Sequence, residues 1–217
     1  MKKLDSLEIM PTRIRIASIL RKAILSGDFK EGEELSLTDT ASHLGVSRTP
    51  VREAFQILAS ENLITLRMNK GAIVNGITTK TIREHFEMRM LLEGEAAVRA
   101  TLRHFDVSDL ISSQAHIESL GDDFYDEEYQ SYNQNLHTSI WKAADNIKMY
   151  TILSSLWNGS SFGKTVSAKE HQLISIEEHG KILGHMRDCN PYLVRKEMEY
   201  HIERSMENII DSFSSKE

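Results

Sequence analysis

The chain is short of several things, and each shortage narrows what it can be. It has one cysteine, Cys189, among 217 residues, which excludes an internal disulfide and suits a reducing compartment. No apolar run approaches the roughly 18 residues that a membrane helix needs, and no signal-peptide core follows the charged N-terminus. The expectation is a cytoplasmic protein with no membrane partner. Only three prolines interrupt it, and apolar residues spaced by three and four point to a mainly α chain. There is no strong basic excess, since the net charge is −6. The charge is uneven, however. Residues 1–77 carry 11 Lys+Arg against 9 Asp+Glu, and the remainder carries 15 against 23. A nucleic-acid face, if there is one, belongs to the N-terminal part.

The most informative stretch is HLGVSRTPVREAFQILASENLI, from His43 to Ile64. Gly45 supplies a tight turn, Ser47 is a good N-cap whose hydroxyl can take a free backbone N–H, and Pro50 falls in the first turn, where its missing N–H costs nothing. These signals predict a helix from about Arg48 to Ser60. Stepping about 100° per residue gathers Val51, Ala54 and Leu58 on one side, with Phe55 at its edge, and Arg48, Thr49, Arg52 and Gln56 on the other. Two arginines one turn apart at a helix N-terminus, behind a short helix and a Gly turn, suit a helix-turn-helix that holds phosphates and reads base edges. Charge pattern alone also fits a solvated amphipathic helix.

Around it, helix one is predicted over Arg13–Ser26 with Ile16, Ile19, Leu20, Ala23 and Ile24 buried and Gly27 ending it. The polar residues 1–12 read as a mobile arm. Ser36 caps a second, short helix. Leu63–Leu66 and Ala72–Val74 read as two strands joined across Arg67–Gly71, a hairpin with a basic tip suited to phosphate or minor-groove contact.

The run GVSRTPVREA, with AILSGDFKEGEEL upstream and NLITLRMNKGAIV downstream, resembles the N-terminal winged helix-turn-helix of the GntR family of bacterial transcription regulators. By position the resemblance implies DNA contacts at Ser47, Arg48, Thr49 and Arg52 on the recognition helix and at Lys70 and Gly71 on the wing. Where the fatty-acid-responsive branch has an arginine this chain has Thr38, so that branch's base contact is not expected.

The capping-type residues of Asn75–Thr79 mark a boundary, giving domains 1–77 and 78–217. Beyond it the pattern is helical almost to the end. A helix over about 80–102 lines up Ile82, Phe86, Arg89, Glu93 and Ala97. A charge in an apolar stripe needs a partner. Two readings stay open: an internal Arg89–Glu93 pair at i,i+4, or an arginine awaiting a carboxylate, which its fork matches bidentately.

Three histidines share this oddity. His137, one turn after Asn133, lies with Tyr129, Leu136, Ile140 and Ala144. His179 lies with Ile176, Ile182, Leu183 and Met186. His201 lies with Val194 and Met198 on a final helix that Asn190 and Pro191 start. Each alone reads as a core residue; three together raise the prospect of a metal site, since neutral imidazole is a common ligand.

From Thr79 onward the chain resembles the all-helical FCD effector-binding and dimerisation domain of the FadR-like GntR regulators. The family's metal pattern falls by position on Asn133, His137, His179 and His201, and its first-helix arginine on Arg89. Asn133 stands where the pattern has an aspartate. Its amide oxygen can coordinate but brings no charge, which weakens the hold on a divalent ion such as Zn, Ni or Mn.

The expected fold is therefore mainly α: a winged helix-turn-helix with a small β-hairpin wing, then an all-α antiparallel helical bundle. The expected function is a ligand-responsive regulator, by default a repressor. It would act as a homodimer on a pseudo-palindromic operator and sense a small carboxylate, with no catalytic residues. Two alternatives remain: a metal-dependent hydrolase, with Glu178 beside His179 as base although there is no HExxH helix, and a DNA binder whose histidines are purely structural.

Overall fold

The computed structural model describes residues 10–68, 70–121, 123–157, 159 and 168–214. The first part is built from α1 (Thr12–Leu25), β1 (Glu34–Leu35), α2 (Leu37–His43), α3 (Arg48–Ser60), β2 (Ile64–Arg67) and β3 (Gly71–Val74). The second is all helical: α4 (Thr79–Leu102), α5 (Ser108–Ser119), α6 (Asp126–Ala143), α7 (Ile147–Leu156), α8 (Ala168–Arg187) and α9 (Pro191–Ser214). Among the described residues no helix is long and apolar enough to cross a membrane.

Helix α3 runs over the span its sequence signals predict. Val51, Ala54, Phe55 and Leu58 are buried, and Arg48, Thr49, Arg52 and Gln56 are exposed. Gly45 turns the chain between α2 and α3 at φ 63°, a conformation that costs a side-chain-bearing residue more than glycine. Ser47 stands at the N-cap, but its hydroxyl makes no capping hydrogen bond. Ser36 does cap α2, accepting from the Asp39 backbone N–H.

The wing is a three-stranded antiparallel sheet of order β1-β3-β2 rather than a two-stranded hairpin. Two residues are too few to show alternation, so β1 escapes a reading by period. Glu34 pairs with Ile73 and Leu35 with Ala72. Gly71 has φ 119°, and a Cβ there would lie 2.0 Å from the Leu35 carbonyl oxygen. Only glycine lets β3 close on β1.

Helix α1 departs from expectation on one face. Ile19 is 52% exposed, while Arg21 is 0% exposed. Of the arm expected over 1–12, residues 1–9 lie outside the described residues, whereas Met10 is buried with Ala96, Trp141, Ala144 and Met149 of the helical part and Thr12 already begins α1. One apolar cluster runs through the whole molecule, from Leu20, Ile24 and Val51 to Ile82, Phe86 and Ile202.

In α4, Thr78 and Thr81 form a reciprocal capping box. The stripe Ile82, Phe86, Arg89, Glu93 and Ala97 is buried as its spacing predicts. At Gly94 a Cβ would stand 3.1 Å from Glu199 Oε1, so α4 and α9 approach closely there.

Candidate functional sites: a basic groove and a buried histidine centre

Between α3 and the wing lies a groove of about 490 Å³ whose lining includes Thr38, Arg48, Arg52, Gln56, Arg67, Lys70 and Gly71. The amphipathicity of α3 turns its arginines into this groove, and the hairpin brings Lys70 to its other wall. Four cations facing one concavity is the charge arrangement a phosphate backbone needs. Ser47 and Thr49 are exposed at the start of α3, outside the groove lining. Gly71 is buried and can offer only its backbone. Arg67 was not singled out by sequence, although its place in β2 beside the basic tip was the available signal. It is tethered to Glu34 Oε1 at 2.6 Å.

The second site is inside the helical part. The ring nitrogens of His137 on α6, His179 on α8 and His201 on α9 lie within 4.8 Å of one another, all three residues buried. Each helix delivers its imidazole through its apolar stripe, so the packing that forms the bundle also assembles the cluster.

Two of the rings are fixed by carboxylates. His137 Nδ1 is 2.6 Å from Glu93 Oε2, and His201 Nδ1 is 2.7 Å from Glu178 Oε2. An ionised carboxylate can only accept, so Nδ1–H is the donor in both, which leaves Nε2 as the ring atom each can turn toward the cluster. The carboxylates are held in turn. Arg89 donates to Glu93 Oε1 from Nε at 2.9 Å and Nη2 at 2.6 Å, and Trp141 Nε1 donates to Glu93 Oε2 at 3.2 Å. Arg204 donates to Glu178 from Nε at 2.5 Å and from Nη2 at 2.7 Å.

The electrostatics follow from burial. Desolvation opposes charge on Glu93, but the nearby Arg89 and His137 charges and their hydrogen bonds outweigh it and hold the carboxyl well below its usual range. Burial, reinforced by the neighbouring histidines and Arg204, pushes His179 and His201 far below the ordinary imidazole value. Both are neutral at pH 7, the form that ligates. His179 and His201 Nε2 atoms are 3.3 Å apart. Two imidazoles bound tetrahedrally at about 2.0–2.1 Å from one zinc would be separated by roughly 3.3 Å, so the donor set fits a divalent ion. His179 Nδ1 is buried with no hydrogen-bond partner among the described residues.

Arg89, Asn133, His137 and His201 line a common small cavity of ≈10 Å³, room for about one water or ion. Arg89 thus has the internal pair with Glu93 that its i,i+4 spacing allowed. Asn133 is buried, and its amide makes no hydrogen bond to any described residue. Beside the cavity, and sharing Asn133 and Trp157 with it, opens a larger cleft of about 520 Å³ between α1 and α6, with Arg15, Ser18, Gln130 and Ser131 on its walls.

Sequence reasoning missed the supports. Glu178 sits next to His179 yet serves His201, and Arg204 carried no local signal. Because Glu178 is clamped by Arg204 and His201, it is poorly placed to act as the free base of a hydrolase.

Comparison with known proteins accords with this architecture. Residues 12–74 match the model of the bacterial regulatory proteins of the gntR family, and residues 84–204 match that of the FCD domain. The gluconate operon transcriptional repressor of Bacillus subtilis is 35% identical over 151 residues, 68% of this chain and 59% of that protein. The chain thus aligns with little more than half the length of that relative. The HTH-type transcriptional regulator YdhC of the same organism is 24% identical over 92% of this chain and 91% of its own. The solved structure of E. coli McbR/YncC superimposes with a TM-score of 0.69 at 19% identity, covering 96% of this chain and all of that one. These families are regulators of transcription, not enzymes, and with a gntR-type head followed by an FCD domain over more than half its length the chain belongs to the GntR family.

Proposed function

We propose that the chain is a homodimeric repressor, with residues 1–77 binding DNA and residues 78–217 binding an effector and holding the dimer together. Two recognition helices related by a two-fold axis would meet a pseudo-palindromic operator. Ser47, Arg48, Thr49, Arg52 and Lys70 would contact DNA through side chains, and Gly71 through its backbone. In the helical part, His137, His179 and His201, with the Asn133 amide oxygen, would hold a divalent transition metal such as Zn, Ni or Mn. Bound there, the ion would supply a Lewis-acidic position for a carboxylate oxygen.

The observation that carries this reading is the convergence of three imidazoles, two of them fixed by carboxylates, with His137 and His201 on the wall of a cavity that Arg89 also lines. The cavity itself has room for about an ion, so a small carboxylate effector would place its acid group at the ion and Arg89 and its remainder in the adjoining cleft. Binding relieves repression only if the ligand prefers one arrangement of the heads.

Elemental analysis of untagged protein tests the metal part. About one equivalent per chain, lost in His179→Ala, is expected. No metal as purified, and none taken up on incubation with zinc, nickel or manganese, would leave the histidines as packing.

A further inference from the structure

The histidine centre and the DNA head meet at one fully buried side chain. Arg21 of α1 is 0% exposed. Its Nε and Nη2 fork onto Glu61 Oε2 and Oε1 at 2.6 and 2.5 Å, and its Nη1 donates to the Trp157 carbonyl at 2.5 Å. Glu61 is the C-cap residue of the recognition helix α3. Trp157 is the C-cap residue of α7 in the helical part.

Trp157 faces both ways. While its carbonyl is held by the head, its indole lies 5.1 Å from the His137 ring and 5.5 Å from Trp141, and Arg89 Cζ stands 5.4 Å from it. The end of α7 is thus fastened on its backbone, and its side chain forms a wall of the histidine centre.

We propose that Arg21 is the positioning residue that links the histidine centre to the recognition helix, through Trp157 on one side and Glu61 on the other. A buried guanidinium tolerates loss of an acceptor poorly. Any ligand that moves the Trp157 indole therefore either carries Arg21 and Glu61 with it or breaks the junction. Coupling requires that such a junction switch between discrete arrangements, and that switching is what the test reads. The inference rests on the reading of the histidine centre as a sensor, and the test keeps the two apart.

Coupling is reciprocal, so the junction can be read from the DNA side without an effector. Both tryptophans of the chain, Trp141 and Trp157, are in the helical part, and none is in the head. Full-length protein is titrated with a duplex selected from random sequence for binding to it. Occupancy is followed by anisotropy of a labelled strand, and tryptophan emission is followed in parallel. DNA saturation is expected to shift the emission of the wild type. The shift should fall at least severalfold in Arg21→Gln and in Glu61→Gln at equal occupancy. Glu61 is partly exposed, so its variant keeps the test alive if Arg21→Gln does not fold.

No shift in the wild type, or a full shift in the Glu61 variant, overturns the proposal. Zinc uptake measured on the same samples judges the sensor separately: failure to bind zinc defeats the metal reading while the DNA-side result still decides the junction. Failure to bind any duplex removes the junction together with the DNA-binding reading, whatever the zinc result.

Discussion

His137 Nδ1 lies 2.6 Å from Glu93 Oε2, so the carboxylate that neutralises Arg89 also sets the orientation of an imidazole on a different helix. His201, Glu178 and Arg204 repeat the arrangement from the other side. Each of these rings is presented to the cluster by a carboxylate backed by a guanidinium.

Replacing the carboxylate should therefore uncouple orientation from packing. Glu93→Gln keeps the volume but removes the charge that Arg89 and His137 share. Affinity for zinc is expected to fall about 10–100-fold in a chelator competition, and thermal stability should drop because the Arg89 charge loses its counter-ion. Unchanged zinc affinity would show that the ring needs no such support.

Asn133→Asp should act in the opposite sense. The amide now makes no hydrogen bond to a described residue and lines the cavity, so a carboxylate there adds one compensating charge at little cost in contacts. Zinc affinity is expected to rise by about tenfold, equivalent to about 1.4 kcal/mol. Equal or weaker binding would exclude this position from the ligand set.

On the DNA face, Arg48→Ala is expected to weaken specific operator binding by about 1–3 kcal/mol per half-site and to relax base preference. Lys70→Ala should weaken all sequences about equally and lower the salt slope by about 1. Anisotropy titrations at several salt concentrations separate the two. A loss of sequence preference in the Lys70 variant would reverse the assignments.

His171 gives a pH signature. Burial, then the Arg204 charge, push its pKa down to about 3, and its Nδ1 accepts from Arg204 and Asn208. The unfolded ring binds a proton near pH 6.5 and the folded one does not. Its contribution is present above pH 6.5 and is lost progressively as pH falls toward about 3, at about 1 kcal/mol per unit. Denaturant melts should therefore show a shallower acid loss in His171→Gln than in the wild type. Identical slopes from pH 6.5 to 4.5 would refute this.

Local chemistry made much of the fold legible. Gly45, Ser47 and Pro50 mark the start of α3, and spacings of three and four mark the buried faces of α3, α4, α6 and α9. The three histidines could be put on packing faces for the same reason, and only the folded chain brings those faces together. What sequence could not reveal depends on distant partners. Nothing near Arg21 announces acceptors 40 and 136 residues away. The Ile19 position looked like core because a helical period cannot tell which side of a stripe a second domain will leave open. Strand β1 was too short to have a period.

The apolar cluster that runs from Leu20 and Ile24 into Ile82 and Phe86, with Met10 seated among Trp141 and Met149, bears on how such regulators can be recombined. A head excised near residue 77 and grafted onto a foreign sensor would carry Arg21 without the Trp157 carbonyl and expose the greasy underside of α1. An exchangeable head in this protein has to keep α1, which packs chiefly on α3 and is tied to it through Arg21 and Glu61, so the foreign sensor has to supply both a replacement for the Trp157 carbonyl and an apolar face for α1 to rest on.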